Sequence, residues 1–162
     1  MVVLKWVLTV LAAAVLLAVA VGQLGWLRGA APPDLGVKEG KLKAPSARPN
    51  SVSSQADLWP AHPQQAYARI APLAVIGDAA AAMARVKAAV EATAGAAVVK
   101  ADGDYLYAQF TTPLMRYTDD TEFWFDRAAG VVQVRSASRL GESDMGANRK
   151  RIEALRARLA SP

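Results

Sequence analysis

The first pattern along the chain is a stretch without polar charge. From Trp6 to Leu27 no residue is ionisable, and Leu, Val and Ala dominate between Lys5 and Arg28. About twenty such residues span a bilayer core as a helix, because in hydrocarbon every backbone group must bond within its own segment. Trp6 and Trp26 stand near the two ends, where indole rings favour the interface. Residues 1–28 therefore read as a single-pass membrane anchor. The competing reading is a cleaved signal peptide, with Lys5 as its n-region and Ala18-Val19-Ala20 as the cleavage site. Apolar residues continue through Val21, Leu24, Trp26 and Leu27, which favours the uncleaved anchor. Lys5 before the span and Arg28, Lys38, Lys41 and Lys43 after it lean toward a cytoplasmic C-terminal part by the positive-inside rule. The short, signal-like N-terminus leans the other way, and the soluble part is expected on the exported, periplasmic side.

Periodicity then lapses. Residues 29–63 are rich in Pro, Gly and Ser with scattered charge, the composition of a linker. Its later part, Pro49 to Gln55, has turn chemistry that would let it lie on a domain. His62, the chain's single histidine, stands between Pro60 and Pro63 and reads as a solvated loop residue. A helix is predicted from an Asp78 N-cap to Ala94, with Met83, Val86 and Val90 forming its apolar stripe and Gly95 ending it. Strands follow at Ala97–Ala101 and Tyr105–Thr111 across Asp102-Gly103, then at Thr121–Asp126 and Val131–Ser138 across a Gly130 turn. A last helix is predicted over Asp144–Leu159, with Met145, Ile152, Leu155 and Leu159 on its stripe and Asn148 among them. Helix, two hairpins and helix predict an α+β two-layer domain over residues 64–160. Its sheet has four antiparallel strands, with both helices on one face.

Alternation along the second hairpin sets Phe125 beside Val132 and Phe123 beside Val134 on the core face. The opposite face then pairs Trp124 with Gln133 and Glu122 with Arg135. Arg139 shares the face of Arg135, and Asp119 and Asp120 fall beside Ser138 and Ala137. Trp124, Tyr105 and Tyr107 are left as an outer aromatic patch, open to a partner or covered by a segment such as Ser51 to Trp59.

Composition adds two constraints. The net charge of +5 raises anionic partners, but no nucleic-acid recognition motif accompanies it, so nucleic acid is not expected. There is no cysteine, which excludes thiol chemistry, disulfides and Cys-ligated metals.

The candidate chemistry lies where the fourth strand meets the last helix. Arg135, Ser138, Arg139, Ser143, Asn148 and Arg149 form a candidate site for an anionic small molecule or protein partner, with guanidinium forks and free helix amides as donors. The plainer reading is an internal network in which Asp119, Asp120, Glu122 and Asp144 neutralise the arginines. The charges along Arg149-Lys150-Arg151, Arg156 and Arg158 read mainly as a solvated helix face. Asn148 reads as a satisfied buried amide. A hydrolase-like enzyme using Asp119, Asp120 or Glu122 is the alternative function. Adjacent strand aspartates point opposite ways, which disfavours a metal cage, and nearby arginines lower carboxyl pKa values. No cofactor or metal is expected.

The elements Pro49-Asn50-Ser51-Val52-Ser53-Ser54, Asp119-Asp120-Thr121-Glu122-Phe123, Arg135-Ser136-Ala137-Ser138-Arg139 and Asp144-Met145-Gly146-Ala147-Asn148-Arg149-Lys150-Arg151 resemble the family of domain of unknown function 1499. The resemblance covers residues 45 to 159 and implies a membrane-associated or exported domain without a defining activity. Relatives commonly carry a cysteine at the place of Ser51, so any role of that thiol is not carried over.

Overall fold

The computed structural model describes residues 2–74 and 77–160. The apolar stretch forms α1, Val2–Gln23, long and apolar enough to cross a membrane. Its last turn rests on the folded domain. The Gln23 amide donates to the carbonyls of Pro113 and Leu114 at 3.0 and 2.9 Å, and Gly22 lies so close to the Met115 backbone that a Cβ would clash with it.

The sheet has five strands rather than the four predicted: β1 (Ser51–Ser53), β2 (Ala96–Asp102), β3 (Tyr105–Thr111), β4 (Thr118–Asp126) and β5 (Val131–Ser138). Their order is β1-β5-β4-β3-β2, and every pairing is antiparallel. The extra strand comes from the linker. Ser51, Val52 and Ser53 pair with Ala137, Ser136 and Arg135, closing an edge of β5 that would otherwise present open N–H and C=O groups. A three-residue strand carries no readable period. The second hairpin has the predicted register, with Phe125 opposite Val132, Phe123 opposite Val134 and Glu122 opposite Arg135. β4 begins three residues earlier than predicted, so Asp119 and Asp120 lie inside the strand.

Both long helices cover one face. In α3 (Ala79–Glu91), Asp78 caps the start by accepting from Ala81 N–H at 2.8 Å. The helix stops short of the predicted Ala94, where the Thr93 hydroxyl bonds back to the Ala89 carbonyl. Gly95, at φ +77°, then turns the chain into β2. Met83, Val86 and Val90 pack with Leu106, Phe110, Phe123 and Val134 in one core. α4 (Ala147–Ala160) begins three residues later than predicted. Met145 accordingly leaves the predicted stripe: it has φ +48° and is 89% exposed. Ile152, Leu155 and Leu159 remain on the core side. A single turn, α2 (Gln65–Ala68), precedes these helices.

The other face is covered too, by the segment predicted as a tether. Residues 34–46 run across it as a strap. Leu42 is 1% exposed, and its N–H donates to the Gln55 side chain, whose amide donates to the Gly40 carbonyl. Ser46 N–H bonds the Ser51 hydroxyl at 2.8 Å. The aromatic patch is thus covered, chiefly by residues ahead of Ser51. Periodicity could not show this, because a strap that binds through backbone groups and one apolar side chain has none. Leu42→Ala should lower the urea midpoint with an unchanged m-value, at a cost of about 2–4 kcal/mol. A midpoint equal to wild type would mean that the strap does not hold the fold.

Candidate functional site

β4 carries carboxylates on both faces, and the two faces solve the resulting charge differently. On the helix side, Asp119 meets Arg151 at 2.5 Å. Arg151 also donates to the Asn148 and Ser136 side chains and lies over the Phe110 ring. Asn148, fully buried, is the hub. Its amide donates to the Asn50 carbonyl, the Ser138 hydroxyl and the Asp144 carboxylate, and its oxygen accepts from Ser136 and Arg151. Asp144 also accepts from the N–H groups of Gly146 and Asn148 and from the Tyr67 hydroxyl. Burial pushes the Asp144 carboxyl up, but these hydrogen bonds outweigh it and hold the group below its ordinary range.

On the strap side, Arg139 clamps Asp120 with two hydrogen bonds of 2.8 and 2.7 Å, and Tyr107 donates to the same carboxylate. A third donor of Arg139 reaches the Gly29 carbonyl. Glu122 has no exposed surface. One of its oxygens accepts from Gly36 N–H at 2.7 Å and from the Tyr105 hydroxyl at 2.8 Å. The other has no hydrogen-bond partner and lies 3.8 Å from Arg135. Burial raises the Glu122 carboxyl, against the pull of Gly36, Tyr105 and Arg135. Burial likewise lowers the Arg135 guanidinium, against the attraction of Glu122 and Asp120. Arg135 donates from Nε to the Ala44 carbonyl at 3.1 Å, and among the described residues no hydrogen bond engages its two terminal nitrogens. Arg135 lines a cleft of about 290 Å³ between strap and sheet, together with Lys43, Asp120, Ser138 and Arg139.

The six residues proposed for the anion site are thus divided. Arg135, Ser138 and Arg139 share the cleft. Ser143 lines a larger cavity of about 470 Å³ at the same end of the sheet, with Asp119, Ser138 and Asp144. Asn148 is the buried hub. Arg149 is elsewhere, donating to the carbonyls of Tyr67 and Arg69. The four acids proposed for ion pairing divide likewise: Asp119, Asp120 and Glu122 face arginines, while Asp144 works through hydrogen bonds. The helix arginines are not simply a solvated face. Arg151 is half of a mostly buried pair, Arg156 donates to the carbonyls of Ala71 and Pro72, and Arg158 to that of Ala89. Sequence reasoning did not anticipate the parts played by Arg151, Tyr67, Asn50 and the strap carbonyls. The resemblance motif held the one available signal, since Asn50 and Arg151 both stand within it.

A family model matches residues 41–159, described as Protein of unknown function (DUF1499). The chain belongs to the DUF1499 family. The matched residues include the strap from Lys41 onward, all five strands and nearly all of α4, so the charged side chains of both layers lie within the DUF1499 domain, with Gly36 just ahead of it. No curated protein and no solved structure matches the chain. Among the described residues of this DUF1499 domain, no cluster of three or more His, Cys, Asp or Glu side chains is arranged to hold a metal ion.

Asp144 generates a pH prediction. Its folded carboxyl lies below the ordinary value of 3.8, so its contribution to stability is present above that value and is lost as the pH falls through the folded one. Urea midpoints followed down to about pH 3 should fall for wild type and fall less for Asp144→Asn. Parallel curves would remove Asp144 from the acid response.

Proposed function

We propose that this domain is a membrane-tethered binding module that takes up a small anionic group, a carboxylate or phosphate, in the cleft between strap and sheet. The carrying observation is Arg135: it is 4% exposed, it lines the cleft, and among the described residues no hydrogen bond engages its two terminal nitrogens. A guanidinium fork matches a two-oxygen anion; Lys43 and Arg139 also line the cleft, each paired with a carboxylate, Asp34 and Asp120. Asp120 also lines the cleft, but its carboxylate is taken by Arg139 and Tyr107. The module sits on the membrane through α1, with its domain on the exported side.

The hydrolase-like alternative has less support. General acid chemistry needs a reachable carboxyl with a raised pKa. Glu122 has the raised pKa and lies sealed under the strap, whereas Asp119 and Asp120 are held by arginines.

Inorganic phosphate tests the cleft on the full chain in detergent. At about tenfold its Kd it should add roughly 1.4 kcal/mol to stability and raise Tm by several degrees. Ala47→Trp, at the exposed edge of the cleft, should abolish the rise without altering any charge, and so should Arg135→Met. Stabilisation that survives both substitutions would place the anion elsewhere. Orientation is tested separately. A reporter active only outside the cytoplasm and fused after Pro162 should be active, and silence from a stably expressed fusion would put the domain inside.

A further inference from the structure

Two loops at the anchor end of the sheet carry large apolar side chains that stay exposed among the described residues. Leu114 and Tyr117 lie between β3 and β4, and Leu140 and Met145 lie between β5 and α4. Leu114 is 60% exposed and Met145 89%, and Tyr117 and Leu140 are exposed as well. None belongs to the core. Exposed groups of this size gathered at one end mark a surface that meets something apolar. The larger cavity opens among them, with Leu27, Tyr117, Leu140 and Met145 in its lining.

The anchor indicates what that surface meets. α1 ends against these loops, with the Gln23 amide bonded to the Pro113 and Leu114 carbonyls. Its 22 residues give a length of about 33 Å, close to the roughly 30 Å of a bilayer core. Gln23 therefore falls at the hydrocarbon boundary and Leu114 beside it. Leu24 and Trp26, both exposed, continue the apolar surface from the helix into the loop region. Arg28 and Arg116 lie in the same two segments and bring cationic groups to the level of lipid phosphates.

We infer that this end of the domain is a lipid-facing surface, with Leu114, Tyr117, Leu140 and Met145 seated in the interfacial layer of the leaflet where α1 ends. The inference rests on the membrane reading of α1 and is independent of the anion cleft. It makes the domain a body lying on the bilayer, with α1 as one of its two attachments.

The absence of cysteine makes single labels unambiguous. Nitroxides would be placed at Leu114→Cys, Leu140→Cys and Met145→Cys in the full chain, reconstituted in phosphatidylcholine–phosphatidylglycerol vesicles. Leu11→Cys, within α1, serves as a lipid control. Ala128→Cys, in the β4–β5 turn at the opposite end of the sheet, serves as a water control. Power saturation with oxygen and with a water-soluble nickel chelate reads depth. The three loop labels should favour oxygen over nickel several-fold more than the label at position 128. Loop labels that match position 128 while position 11 reports lipid would overturn the inference and leave the anchor reading intact. An aqueous signal from position 11 would overturn both. Shielding of the loop labels from both agents, as under a protein partner or a second copy, would also overturn it.

Discussion

Strand alternation at Asp119-Asp120-Thr121-Glu122 is the constraint on which the rest depends. Successive side chains in a strand point to opposite faces, so this run necessarily sends one carboxylate toward the helices and two away from them. A sheet with acids on both sides cannot bury one face against helices and leave the other bare without a partner for each charge. The chain supplies those partners from four places: α4 through Arg151, β5 and the residue after it through Arg135 and Arg139, β3 through Tyr105 and Tyr107, and the strap through the Gly36 N–H. Seen this way, the strap is the third layer of a sandwich whose middle sheet is charged.

The two charge layers differ in completeness. The helix-side layer is nearly saturated around Asn148, where five residues converge on one amide. Such networks, when every member is satisfied, fix a single arrangement of the elements they join. The strap-side layer is not saturated. Glu122 keeps an oxygen without a hydrogen bond, and Arg135 keeps two nitrogens in the same condition, 3.8 Å apart at the nearest pair. A buried pair at that separation, lacking direct hydrogen bonds, recovers little of its desolvation cost. It is a poor way to stabilise a fold, and it accords with the anion uptake proposed for the cleft.

Much of this was legible in the amino-acid order, and the remainder was hidden for identifiable reasons. Phe123, Phe125, Val132 and Val134 alternate strongly enough to specify the register, and with it the opposition of Glu122 and Arg135. The Asp78 cap and the Asp102-Gly103 turn announce their elements by local chemistry. Ser51–Ser53 could not be read as a strand, because three small or β-branched residues after a proline leave no period to detect. Leu42 could not be read as core, since a lone leucine among lysines and prolines resembles any linker residue. Met145 misled because the apolar spacing of α4 runs past its true start, where a left-handed backbone turns that side chain outward. The resemblance to the family located the polar elements without indicating that Asn50 and Arg151 reach the same amide.

One consequence concerns distance. A free linker of 35 residues (29–63) would give the domain a root-mean-square reach of about 30 Å from its anchor. Here that chain is consumed as a covering layer, and Arg139 pins it from Gly29 onward. The protein has almost no leash. On the membrane reading of α1, the domain cannot search the volume beyond the bilayer, and whatever it meets comes to it at the membrane surface.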